Sequence, residues 1–144
     1  MSKTASIKWQ SNQRFEAIID NHIINLGEIN HSGALSSQSL LLISLGSSCA
    51  SELINILKIN KLDIDSFEIN IEVNKKNNAN SVVEKLTLVF VISAKSVNIP
   101  NLLNSIETTI NQNSSISLLL KKCIEIDYNV FVNGVSINKS DYQK

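Results

Sequence analysis

The sequence predicts an α+β fold, in which a twisted antiparallel sheet has helices on one face and a long, largely buried central helix. Residues 66–74 alternate apolar and polar side chains, and residues 82–93 place Leu86, Leu88, Phe90 and Ile92 on one face, which is the period of two that strands show. Val89 and Val91 make the other face of the second segment partly apolar, which indicates a central strand. Residues 38–58 carry apolar side chains around almost the whole helical circumference, which is typical of a helix covered on most sides. The order of strands, long helix, hairpin, helix pair and strand favours α+β.

The composition indicates one domain over residues 1–144 in a reducing compartment. The chain has 144 residues, 43% of them hydrophobic, and no formal net charge. A neutral chain lacks the positive field that holds nucleic acid or an anionic membrane, and the apolar run 40–45 is too short to span a bilayer. Two cysteines without a CxxC pattern or a secretory signal predict a cytoplasmic protein.

The elements before the long helix are short strands. Apolar and polar residues alternate within residues 5–26, and Asp20-Asn21 makes a good turn pair. Residues 27–36 hold two glycines and several polar side chains, which predicts a loop. Ser36 or Ser37 is expected to cap the long helix.

The elements after the long helix follow from the same patterns. The polar stretch KKNNANS predicts a hairpin loop between the two alternating strands, and Pro100 suits a first helical turn. The stretch NQNSS should break that helix, with a short helix over 115–122 and a last strand over 123–132. The tail, residues 133–144, is expected to be loose.

Isolated polar residues point to no cofactor. His22 lies beside a turn and His31 in a loop, so both are expected to be solvated. No cluster of His, Cys and carboxylates suggests a metal site, and glycine is too sparse for a phosphate loop. A serine hydrolase is disfavoured because no nucleophile elbow is present. We therefore expect neither metal nor cofactor.

Two stretches in order resemble one family. Residues 39–47, SLLLISLGS, align without gaps with a helix motif of the form P-x-E-L-L-L-A-A-L-G-G-C-T-A. Residues 113–120, NSSISLLL, align with a second motif, Y-C-S-V-S-x-x-L, and WQSNQRF aligns with a first hairpin that ends in Arg-Phe. Over residues 6–132 the chain resembles the OsmC/Ohr family. The resemblance implies the OsmC-like fold and an intertwined homodimer with two central helices across the two-fold axis. A second subunit would also cover the apolar long helix.

The resemblance implies a specific chemistry that we expect this chain to lack. In the family, two motif cysteines reduce organic hydroperoxides, an Arg lowers the thiol pKa, and a Glu at the start of the helix holds that Arg. Those cysteine positions fall on Ser48 and Ser114, the Glu position falls on Ser39, and Arg14 matches the Arg. A serine hydroxyl is not oxidised by a peroxide, so the two-cysteine reaction should be absent.

Cys49 keeps a second interpretation open. It follows Ser48 directly, and one residue is a rotation of about 100° on a helix, so it should face another direction. It is expected either to be a small packing residue or to act as the single nucleophile of a weak thiol peroxidase, while Cys123 is expected to be buried and inert. The family pocket lies at the dimer interface; Arg14, Ser39 and Leu45 should mark it here, around a small apolar or hydroperoxide ligand. The two functions considered are therefore a non-catalytic dimer and a one-cysteine peroxidase.

Overall fold

A computed structural model describes residues 3–27, 33–75 and 82–142. It contains helices, an antiparallel sheet and a mixed sheet, so the predicted α+β class is confirmed. The chain divides into two compact units, residues 1–43 and 44–144. The long helix begins in the first unit and continues into the second.

The first unit contains an antiparallel meander in the order β1-β2-β3. The strands are β1 Ser6–Ser11, β2 Arg14–Ile19 and β3 His22–Leu26. Asp20 and Asn21 join β2 to β3 with positive φ angles of 47° and 64°, a conformation that their short polar side chains tolerate. The predicted strands and turn are confirmed. His31 and part of the predicted loop lie outside the described residues.

The long helix, α1, spans Ser37–Ile59. Ser36 is its N-cap residue, because its hydroxyl oxygen accepts a hydrogen bond from the backbone N–H of Ser39 at 3.1 Å. One face of α1 is buried in the chain, through Leu45, Cys49, Leu53, Ile56 and Leu57. The opposite face is more open, and Ile43 is 55% exposed. Within one chain, therefore, α1 is covered on one side instead of most sides.

The second unit contains a four-stranded sheet in the order β4-β5-β6-β7. The strands are β4 Ser66–Lys75, β5 Val83–Ser93, β6 Glu125–Val132 and β7 Val135–Ile137. β4 and β5 are antiparallel, as are β6 and β7, whereas β5 and β6 run parallel. The expectation of an antiparallel sheet is therefore wrong for this one pair. The helices that connect β5 to β6 supply the long crossover that parallel pairing requires.

The core of the second unit lies on one face of this sheet. The central strand β5 buries Leu86, Leu88, Phe90 and Ile92, each at most 2% exposed. The ring of Phe90 meets that of Tyr128 edge to face, with centroids 6.4 Å apart. Gly46 lets α1 approach the sheet closely, because a Cβ at this position would lie 3.2 Å from the Ile71 side chain.

Two helices joined by a π-helical turn connect β5 to β6. They are α2 Ile99–Thr108, the turn Thr109–Asn113 and α3 Ser115–Leu120. Asn98 caps α2 by accepting a hydrogen bond from the N–H of Asn101, and Pro100 lies in the first turn as predicted. The expected break after α2 occurs as this wider turn, which ends at Ser114.

The C-terminal segment is ordered through residue 142, so the expectation of a loose tail is wrong for residues 133–142. It forms β7 and then a 3₁₀ turn over Lys139–Asp141. The Lys139 ammonium binds Asp127 Oδ1 at 3.0 Å and lies 3.9 Å from the centroid of the Tyr128 ring. Burial acts to raise the pKa of Asp127, but hydrogen bonds from Lys139 and the Tyr128 N–H, with the charges of Lys139 and Lys85, lower it overall.

Candidate functional site

Ser114 lies at the junction between the π-helical turn and α3. It is 0% exposed, and its extended backbone (φ −71°, ψ 111°) ends one helical segment and begins the next. Its N–H donates to the carbonyl of Thr109 at 2.8 Å, and its hydroxyl accepts from the N–H of Ser117 at 3.2 Å. Ser114 is therefore the N-cap residue of α3, a structural role that serine performs well.

Ser48 of α1 reaches the same hydroxyl. The Oγ atoms of Ser48 and Ser114 are 2.8 Å apart, so one hydroxyl donates to the other. The two residues are 66 positions apart in sequence, and the bond links α1 to the start of α3. The close approach that the two sequence motifs require is confirmed. That these are the positions of the family's cysteines remains what the resemblance implies.

Cys49 is the third member of this cluster. Its side chain is 0% exposed, and burial raises the pKa of its thiol. A hydrogen bond with the Ser114 side chain acts in the opposite direction but is the smaller effect. Although Cys49 and Ser48 occupy successive helical positions, Ser114 interacts with both. A buried thiol with a raised pKa is a weak nucleophile at neutral pH.

Three further buried hydroxyls lie on α2, the π-helical turn and α3. Ser105, Thr109 and Ser117 are each 0% exposed, and each donates its hydroxyl proton to a backbone carbonyl. Among the described residues, no buried side-chain nitrogen or oxygen lacks a hydrogen-bond partner. The hydroxyls of Ser105 and Thr109 thus bond carbonyls one helical turn earlier, whereas that of Ser117 ties α3 to the π-helical turn. Sequence reasoning did not identify Ser105, Thr109 or Ser117. It singled out Ser114 through the second motif, but not its N-cap role, which a serine before an apolar run signals.

The other predicted pocket residues lie on β2 and α1. Arg14 opens β2, is exposed, and pairs with Ser11 across the β1–β2 hairpin. Ser39 lies in the first turn of α1, where its Oγ is 2.8 Å from that of Ser36. This pair extends the N-cap, in the place where a capping box would carry Glu or Gln. Leu45 is 0% exposed and belongs to the core.

Both cysteines are free, and Cys123 is exposed. The expectation of a buried Cys123 is therefore wrong. It was based on a strand that begins at residue 123, whereas β6 begins at Glu125 and Cys123 lies in the turn after α3. A turn is solvated more readily than a strand in a packed sheet.

A shallow depression lies between α1, the helix that carries Ser48 and Cys49, and β4. Its volume is about 420 Å³, and it is lined by Ala50, Ser51, Ile54, Asn55 and Phe67. Within the described ranges, no group of three or more His, Cys, Asp and Glu side chains could hold a metal ion. By length and composition alone, α1 could cross a membrane. Core helices of soluble proteins also meet this test.

A family model described as OsmC-like protein matches residues 30–129. The chain belongs to the OsmC-like family. The matched region of this OsmC-like protein includes α1 with Ser48 and Cys49, and the turn with Ser114. The resemblance seen in the two sequence motifs is thereby confirmed.

Solved structures share the fold of this OsmC-like protein at low sequence identity. A hypothetical protein from Aquifex aeolicus VF5 is 19% identical with a TM-score of 0.80, covering 92% of this chain and 97% of that one. An OsmC-like protein from Mycoplasma pneumoniae is 13% identical with the same TM-score and coverages. An organic hydroperoxide resistance protein from Elizabethkingia anophelis is 15% identical with a TM-score of 0.72, again covering 92% and 97%. A search of curated proteins found no significant match.

Proposed function

We propose that this OsmC-like protein has lost the two-cysteine peroxidase chemistry and acts as a non-catalytic binding or structural dimer. The main support for this proposal is the hydrogen bond of 2.8 Å between Ser48 and Ser114. These are the two positions where the resemblance puts the redox cysteines. Those positions meet as a reacting pair must, but they carry hydroxyls. A hydroxyl forms neither a sulfenic acid nor a disulfide.

The hydrogen-bond pattern supports a structural role for the pair. The Ser114 oxygen already accepts from the N–H of Ser117 and contacts the hydroxyl of Ser48. A neutral hydroxyl suits this arrangement, because it can accept one bond and donate another. The pair therefore joins α1 to α3 and caps α3 without any need for a reactive group.

A one-cysteine thiol peroxidase is the second candidate. It is favoured by the hydrogen bond of Ser114 with Cys49, which acts against the larger effect of burial on the thiol pKa. In such an enzyme the Cys49 thiolate would attack the peroxide, and an external thiol would reduce the resulting sulfenic acid. The full burial of Cys49 and its net raised pKa weigh against this candidate.

Hydroperoxide consumption separates the two candidates. We expect the native protein to consume an organic hydroperoxide in the presence of a dithiol no faster than buffer, since no accessible low-pKa thiol is present at the cluster. Cys49→Ser should leave this background unchanged. The proposal would be contradicted if the native protein consumed hydroperoxide, the Cys49→Ser variant did not, and the Cys123→Ser variant still did. That result would establish Cys49 as the nucleophile.

We also propose that the protein is a homodimer through the outward face of α1. That face carries apolar or small side chains at helical spacing, among them Ile43, Ser47, Ala50 and Ile54. Small and apolar residues in such a row let a second helix pack closely. The depression lined by Ala50 and Ile54 lies on this face.

Light scattering tests the dimer. We expect a mass of twice 15.9 kDa, and dissociation when Ile43→Glu places a charge on the outward face, because burying an unpaired carboxylate is costly. Ile59→Glu is the matched control, since Ile59 is 77% exposed at the end of α1. A native mass of 15.9 kDa would contradict the proposal.

The remaining expectations from the resemblance are proposals of the same kind. A single OsmC-like domain over residues 1–144 is supported by the 92% of the chain that the solved structures cover. A cytoplasmic location is supported by two free cysteines. A small apolar or hydroperoxide ligand, which the resemblance implies, is supported by the shared fold with the organic hydroperoxide resistance protein of Elizabethkingia anophelis.

A further inference from the structure

The turn between β6 and β7 contains an Asn-Gly pair, the only one in the sequence. Asn133 and Gly134 form a two-residue hairpin loop, since Val132 pairs directly with Val135. Their φ angles are 52° and 80°, as a type I′ turn requires at both central positions. Gly134 has no side chain to shield its backbone nitrogen, and a Cβ built there would meet nothing within 4 Å.

The Asn133 side chain fastens this turn to the end of β5. Its Oδ1 accepts from the N–H of Ala94 at 3.0 Å, and its Nδ2 donates to the carbonyl of Ala94 at 2.7 Å. The backbone N–H of Asn133 donates to the carbonyl of Ile92 at 2.9 Å. One amide thus continues the β5–β6 ladder beyond the last strand residue, using both its donor and its acceptor.

We propose that Asn133 is a site of spontaneous deamidation, and that this modification weakens the attachment of the C-terminal hairpin to β5. The Gly134 backbone nitrogen attacks Asn133 Cγ and loses its proton; a C–N bond forms, the Cγ–Nδ2 bond breaks, and ammonia leaves. Water then opens the resulting five-membered imide to aspartate or isoaspartate. The reaction is least hindered when glycine follows asparagine, because no Cβ crowds the attacking nitrogen.

Conversion removes one of the two side-chain bonds. An aspartate at 133 still accepts from the N–H of Ala94 but has no proton to donate, so a carboxylate oxygen faces the Ala94 carbonyl where the amide donated at 2.7 Å. Two acceptors in contact repel, and the carbonyl loses its partner. An isoaspartate would in addition lengthen the backbone of a two-residue turn. Either product loosens the junction of β5, β6 and β7.

Two other asparagines provide internal controls. Asn12 and Asn21 also lie in turns with positive φ, 47° and 64°, but Gln13 and His22 follow them. Peptide mapping of aged protein should therefore show amide loss at Asn133 at least about tenfold above that at Asn12 and Asn21, because only Asn133 precedes glycine. It should be faster still in urea, where the bonds to Ala94 are broken.

Two results of this mapping would overturn the proposal. Asn133 intact while Asn12 or Asn21 converts would show that it is not the reactive residue. Equal rates at Asn133 in folded and urea-unfolded protein would show that the bonds to Ala94 do not restrain it.

Asn133→Asp tests the structural consequence. Amide hydrogen exchange over residues 133–142 should speed up by at least about tenfold, the size expected when a hydrogen bond is replaced by a repulsion. Asn129→Asp is the matched control, because it adds the same charge at an exposed position of β6, the strand that leads into this turn. Unchanged exchange in Asn133→Asp, or an equal increase in both variants, would refute the release of the hairpin.

Discussion

Replacing Ser48 and Ser114 together by cysteine should give a protein that forms an internal disulfide and gains hydroperoxide turnover. The two hydroxyl oxygens are 2.8 Å apart, so two sulfurs on the same Cβ atoms would approach within bonding reach with little movement. A disulfide between positions 66 apart should stabilise the oxidised form by about 2–4 kcal/mol, because it reduces the conformational entropy of the unfolded chain. The reduced form should lose part of the α3 N-cap, about 0.5–2 kcal/mol.

Turnover of this double variant should be partial. The resemblance assigns Arg14 to lowering the thiol pKa, but the Glu that would hold it is Ser39 here. Thermal unfolding with and without dithiol, together with peroxide consumption, measures both effects. The matched control is Ser47→Cys with Ser114→Cys, because Ser47 is exposed on α1 and bonds its own helix. A disulfide in the control but not in the Ser48 variant would show that the pairing is misassigned.

Leu45→Ala should be strongly destabilising. Leu45 is 0% exposed, and truncating a fully buried leucine costs about 2–5 kcal/mol through lost burial and the cavity left behind. Urea unfolding measures this cost as a lower midpoint with an unchanged slope. Ile59→Ala, at a position 77% exposed, should cost little.

This second prediction separates two roles for Leu45. If Leu45 chiefly lined a ligand pocket, as the resemblance implies, its truncation would alter ligand binding and leave the unfolding midpoint nearly unchanged. A loss of stability below about 1 kcal/mol would contradict the core assignment, since buried leucines lose more than this.

The sequence predicted the features that depend on local periodicity. The strict alternation over β4, the apolar face of β5 and the turn residues Asp20 and Asn21 specify local conformation, and the structure confirms them. The contact of Ser48 with Ser114 is not local. It was predicted because two motifs of one family bring those positions together, and periodicity alone would have missed it.

The features that were missed depend on direction or on single residues. Alternation is the same in parallel and antiparallel strands, so it carried no information on the parallel pairing of β5 and β6. The Asn133-Gly134 pair between Val132 and Val135 is a hairpin signal that was overlooked in a polar tail. The exposure of Cys123 depended on where β6 begins, and element boundaries are poorly encoded.

The parallel pairing of β5 with β6 sets an order for folding. The β4–β5 pairing joins strands that are neighbours in sequence, so little chain entropy is lost in forming it. β6 must wait until α2, the π-helical turn and α3 have folded back across the sheet, because these elements make up most of the connection from Ser93 to Glu125. Such non-local contacts slow folding. We therefore expect the Ser48–Ser114 bond, which ties this crossover to α1, to form late, so that substitutions there speed unfolding more than they slow folding.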